Sequence, residues 1–161
     1  MLLSAEVDPS KQLDFWFGEW QLTGRMRNAP GKEEYTETKA KNVIVRVQGG
    51  KVVQETFESD GFTGSSWSVY DVRKKKWFQT WVDNSGAYLT FEGEATKEGF
   101  MFVQNNIPAE VSAKGTRMRM VFSKITADGF HWDWQHSGDS GKSWETQWEL
   151  DYKRVKKAAG G

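Results

Sequence analysis

Cysteine is absent from this chain, which excludes disulfides, thiolate metal sites and a cysteine nucleophile and fits a reducing compartment. Histidine occurs only at 131 and 136, too few for a three-histidine metal site. His131 alternates with Asp133 and Gln135 and is read as outward, so metal catalysis is not expected. Neither charge dominates: 22 Lys plus Arg face 22 Asp plus Glu, and no global field draws the protein to nucleic acid or inserts it into an anionic membrane. No apolar run approaches a membrane span. Met1 to Ser10 has neither a basic n-region nor an apolar h-region, so the expectation is a cytoplasmic protein without a signal peptide. A phosphate loop, a dinucleotide fingerprint and a hydrolase serine elbow are missing as well.

Tryptophan, by contrast, is abundant. Eight of the nine form pairs at even separations: Trp16 and Trp20, Trp77 and Trp81, Trp132 and Trp134, Trp144 and Trp148. In a strand, residues an even number apart share a face, so each pair puts two indoles on one side of a sheet. A flat sheet exposing such a face would aggregate, whereas a sheet rolled into a barrel encloses it.

The turn signals agree. Gly49-Gly50, Asp60-Gly61, Arg73 to Lys76, Asn84-Ser85-Gly86, Lys97-Glu98-Gly99, Asp128-Gly129 and Ser140-Gly141 break the chain at short intervals, with no long helical period between them. The spacing predicts about ten strands near 18–28, 35–47, 51–59, 63–71, 76–83, 87–96, 99–106, 115–126, 129–137 and 143–154. One short helical turn is expected after Asp8-Pro9-Ser10, with Asp8 as cap. Ile107 to Gly115 reads as an irregular rim loop, and Lys156 to Gly161 as a solvated tail. The fold expected is all-β: a single domain over 1–161, an antiparallel up-and-down barrel.

Alternation assigns faces. Trp20, Leu22 and Met26, Leu89 and Phe91, Met118, Met120 and Phe122, and Phe130, Trp132 and Trp134 are expected inside. In the last strand Trp144, Thr146, Trp148, Leu150 and Tyr152 are expected inside, opposite Glu145, Gln147, Glu149, Asp151 and Lys153.

Gly18-Glu19-Trp20, placed after a short helical turn, resembles the first-strand motif of the lipocalins and the wider calycin group. That resemblance implies a basic residue near the end of the last strand, here Arg154, packed over Trp20. Gly49 to Val53, Tyr70-Asp71 before a lysine-rich turn, Trp81 to Gly86, and Tyr152 with Arg154 extend the likeness to a family of small bacterial lipocalin-like proteins of unknown function. It implies a lipocalin-like barrel and brings no catalytic residues. Ser137 to Trp144 is similar to the Asp-box hairpin of sialidase propellers, and a single copy reads as a turn: Asp139 accepts backbone N–H groups, Gly141 takes positive φ and Trp144 packs beneath.

Two functional readings follow. In the first, the barrel binds a small apolar or aromatic molecule lined by Trp67, Gln79, Trp81, Asp83, Phe91, Met120, Trp132, Trp134 and Trp148. In the second, the same pocket is an enzyme of the cyclase or isomerase kind, an analogy with lipocalin-like barrels of natural-product pathways. Glu55 and His136 are then its acid–base pair, because an apolar setting tunes both towards neutral pH, with Asp83 and Tyr88 next in line. Against this, Glu55 has a structural alternative, pairing with Arg117 or Arg119 or turning to solvent at a bulge. No cofactor is expected. Haem is a minor alternative through His136, as in the nitrobindins, although their Gly-x-Trp-x-Gly-x-Gly motif is not met here.

Overall fold

The computed structural model describes residues 7–157. Ten strands follow one another: β1 (Gly18–Arg27), β2 (Tyr35–Val47), β3 (Val52–Ser59), β4 (Phe62–Asp71), β5 (Lys76–Asp83), β6 (Tyr88–Ala95), β7 (Phe100–Gln104), β8 (Arg117–Ser123), β9 (Gly129–Ser137) and β10 (Glu145–Arg154). Each pairs antiparallel with its neighbours in sequence, and β1 also pairs with β10, closing the barrel. The hairpin between β2 and β3 shows why glycine is needed at the turns: Gln48, Gly49 and Gly50 all take positive φ (53°, 64° and 82°), a region that side-chain-bearing residues visit rarely. Among the described residues no helix is long and apolar enough to cross a membrane.

One end of the barrel is plugged by two 3₁₀ turns, Pro9–Lys11 and Asp14–Trp16. Asp8 caps the first by accepting from the Ser10 amide at 3.0 Å, as expected, and a second turn follows it. Leu13 and Trp16 from this segment are buried in the core. Trp20 lies against them, its indole N–H donating to the Trp16 carbonyl at 2.8 Å. The Arg154 guanidinium sits 4.2 Å from the centre of the Trp20 ring and donates to the carbonyls of Phe17 and Ala127. The glycine of the Gly-x-Trp triplet has a physical reason: Gly18 has φ 127°, and a Cβ there would lie within 2.4 Å of the Arg154 guanidinium. Phe130 stacks on Tyr152 at 4.2 Å and completes the aromatic floor.

Several facings depart from simple alternation. A bulge between Thr146 and Trp148 shifts the register of β10 against β9, so the start of the strand turns outward while Trp148, Leu150 and Tyr152 stay inside. Thr146 therefore donates to Asp133 on the outer wall at 3.2 Å, and Trp144 lies outside beneath Arg119, 3.9 Å from it. Met26, expected inside, stands at the open rim and is 42% exposed. The connection containing Ile107 to Gly115 is not wholly irregular, since α1 (Ala109–Ser112) forms one turn within it. Arg117 ties that turn down by donating to the Ser112 carbonyl at 2.9 Å. The tail expected from Lys156 onward lies outside the described residues after position 157.

Ser137 to Trp144 forms the turn its sequence suggests. Asp139 accepts from the Ser137 and Ser143 hydroxyls at 2.8 and 2.6 Å and from the Ser143 amide at 2.9 Å. These bonds, that from Ser143 above all, hold its carboxyl well below the usual range. Gly141 has φ 87° and lies over Trp144.

Candidate functional site

A cavity of about 200 Å³ opens at the end of the barrel opposite the plug. Its walls carry Trp81, Trp132, Trp134 and Trp148, each delivered by the inward parity of its strand, with Gln79, Asp83, Phe91, Met120 and Glu55. Trp132 meets Trp148 edge to face at 5.5 Å, and Phe62 stacks on Trp81 at 6.3 Å, so the indoles brace one another. Gly64 makes room for this layer: a Cβ at that position would lie 2.1 Å from Trp81 Cζ2. Gly64→Ala is expected to push the Trp81 ring aside at a cost of about 1–3 kcal/mol, measured by urea unfolding. An unchanged midpoint would show that the ring had room to spare.

Trp67 does not belong to this set. On β4 the buried positions are Gly64, Ser66 and Ser68, and Trp67 points the other way, 41% exposed. His136 follows the parity of Trp132 and Trp134 but lies at the end of β9, paired with Glu145 and Met118, and is not among the lining residues. Haem does not fit these residues, since the one histidine it would need is outside the cavity wall and the cavity is far smaller than a porphyrin requires. Tyr88 is 61% exposed on the outer surface.

Glu55 is 7% exposed, on the inward face of β3. It pairs with neither Arg117 nor Arg119, and it is turned inward rather than out to bulk solvent. Its Oε1 accepts from the Asn42 amide at 2.7 Å and its Oε2 from the Ser66 hydroxyl at 2.6 Å. The same Asn42 amide donates to the Tyr152 hydroxyl at 3.0 Å. Burial pushes the Glu55 carboxyl up, and the bonds from Ser66 and Asn42 only partly oppose it. Burial, and then the nearby Glu55 carboxylate, push Tyr152 up as well. Among the described residues Asn42 Oδ1 and Trp16 Nε1 have no hydrogen-bond partner.

Asp83 behaves oppositely. Burial at the cavity mouth acts to raise its pKa, but bonds from the Ser85 hydroxyl and amide (2.5 and 2.9 Å) and from Trp81 Nε1 (2.8 Å) outweigh it and the net direction is down. The cavity thus holds one carboxyl whose pKa is pushed up and one whose pKa is pushed down. Gln79 lies deeper, donating to the Ser68 hydroxyl at 2.9 Å.

Asn42, Ser66, Tyr152 and Trp16 are the parts that reading by residue type misses. Alternation places Tyr152 inside, but the link from Asn42 to Glu55 crosses from β2 to β3 and depends on register, which period-two alternation does not supply. On the outer wall, His131, Asp133 and Glu149 bring potential ligand atoms within 4.8 Å of one another. Arg25 already binds Glu149 at 2.7 Å and Asp151 binds His131 Nδ1 at 2.7 Å, so protein partners satisfy this cluster.

No curated protein matches the chain. The family described as "Protein of unknown function (DUF1579)" matches over residues 7–154, from the base plug through Arg154, and the chain belongs to that family.

Proposed function

We propose that the barrel binds a small aromatic molecule in its tryptophan-lined cavity. The observation that carries this reading is the cavity wall itself: four indoles face one space of about 200 Å³ and are not needed to fill it. Apolar cavities of about 150 Å³ accept benzene, so this one has room for a one- or two-ring molecule rather than a large polycycle. Ring faces supply most of the contact, and Glu55, Gln79 and Asp83 supply orientation. A lipocalin-like container is consistent with this use.

An acid–base enzyme is the weaker reading. Glu55 has the environment of a general acid, but His136 does not line the cavity beside it, and a proton relay needs both groups within reach of one substrate.

The nine indole N–H signals give a direct test by nitrogen–proton correlation NMR. Titration with indole is expected to shift the signals of Trp81, Trp132, Trp134 and Trp148 saturably and leave Trp67 on the outer wall in place. Trp132→Ala is expected to weaken binding by about three- to tenfold, corresponding to roughly 0.5–1.5 kcal/mol for a lost aromatic pair. Shifts confined to Trp67 and Trp144, or no shifts with any one- or two-ring compound, would refute the proposal.

A further inference from the structure

We infer that the cavity selects organic cations, specifically amines attached to an aromatic ring, over neutral and anionic molecules of the same shape. This rests on the aromatic-ligand reading of the same cavity and adds the charge of the ligand to it.

The first support is the distribution of charge. The chain carries as many basic as acidic side chains, yet among the described residues the cavity lining contains two carboxyls, Glu55 and Asp83, and no lysine, arginine or histidine. Outer-wall carboxylates are treated differently: Glu149 is met by Arg25 and Glu92 by Lys76, both at 2.7 Å. Glu55 is the most deeply buried acid among the described residues, and no cation acts on it there. Burial without a positive partner disfavours the charged form of this carboxyl, and a bound ammonium group supplies the missing charge.

The second support is geometric. Each Glu55 oxygen accepts a single bond, from Asn42 or from Ser66. A carboxylate has about four acceptor sites, so half remain for a ligand with several N–H donors. Trp81, Trp132, Trp134 and Trp148 line the same cavity, and an indole face carries negative quadrupole density that attracts a cation within about 6 Å. A carboxylic acid placed here would meet the opposite of what it needs, two acids and a wall of π-density.

Burial raises the Glu55 pKa, and where the carboxyl is protonated an ammonium that binds it displaces that proton to solvent while keeping its own. The other titratable groups facing this space are Tyr152, whose raised pKa keeps it neutral, and Asp83, already ionised at the mouth.

Three indoles that share a two-carbon chain at C3 and carry a cationic, a neutral or an anionic end test the inference at pH 7.5 by titration calorimetry: tryptamine, 3-ethylindole and indole-3-propionate. Tryptamine is expected to bind about tenfold or more tighter than 3-ethylindole, with indole-3-propionate weakest. In Glu55→Gln the ratio of tryptamine to 3-ethylindole affinity is expected to fall to about one. The wild-type ranking stands on its own if the variant does not fold. If 3-ethylindole or indole-3-propionate binds as tightly as tryptamine, the charge preference is refuted and the aromatic pocket survives. If none of the three binds, both fall.

Discussion

Trp20→Ala is expected to destabilise the barrel by about 3–5 kcal/mol, the range for truncating a large buried aromatic. A domain holds only about 5–15 kcal/mol in total, so a substantial part of the protein would unfold near room temperature or on mild warming. The size of the effect follows from what the ring touches. Its indole caps the Trp16 carbonyl at 2.8 Å. Phe130 and Tyr152 meet it edge to face at 5.1 and 5.9 Å. Arg154 covers its outer face. Arg154→Ala should cost less, about 0.5–2 kcal/mol for the cation–π contact together with its bonds to Phe17 and Ala127. Urea unfolding measures both. Affinity for an aromatic ligand, measured on the folded protein, should barely change, because neither residue lines the cavity. A large loss of affinity at unchanged stability would move the pair into the binding site.

Glu55→Gln should become progressively more stable than the wild type as pH rises. Below about pH 4.3 an unfolded glutamate is protonated, and the buried Glu55 is too, so the two proteins should melt together. Above that pH the unfolded chain gives up the proton while the folded protein keeps it, because burial raises the Glu55 pKa. The folded state then binds more protons than the unfolded one, and wild-type stability falls with pH until the folded pKa is reached. The slope is at most about 1.4 kcal/mol per pH unit. The amide introduced by the substitution has no proton to lose, and its carbonyl can still accept from Asn42. Asp83 and Tyr152 are common to both proteins and cancel in the difference. Melting curves from about pH 4 to pH 8 read the result, and a constant difference across that range would mean that Glu55 is not held neutral by its surroundings.

Strand number and most strand limits are legible in the sequence because turn chemistry punctuates them; β2, β5 and β9 run where the Gly-Gly, lysine-rich and Asp-Gly breaks place them. Facing is legible wherever a strand alternates without interruption, as in β5, where Trp77, Gln79, Trp81 and Asp83 share the inner side. It fails at β10 because a bulge adds one residue, and nothing in Glu145-Thr146-Gln147 announces it. Trp67 is misread when residue size outweighs parity: serines at 66 and 68 hold the inside of β4, where Glu55 and Gln79 need hydroxyl partners. The network around Glu55 is illegible for a deeper reason. It joins Asn42, Ser66 and Tyr152 from three further strands, and the relative sliding of strands is a tertiary property.

Nine of the ten strand pairings join neighbours in sequence and can form as the chain emerges, most of them across a short loop. The tenth, between β1 and β10, waits for the last strand. During synthesis β1 and its tryptophan-bearing face therefore stay as an open sheet edge for the whole time it takes to add the other strands, the state in which nascent chains pair with one another. Any fragment ending before β10 keeps two such edges permanently. The final strand thus separates a closed ring from an open ribbon with two unpaired edges, so termination before or within β10 is expected to cost more than the loss of one strand suggests.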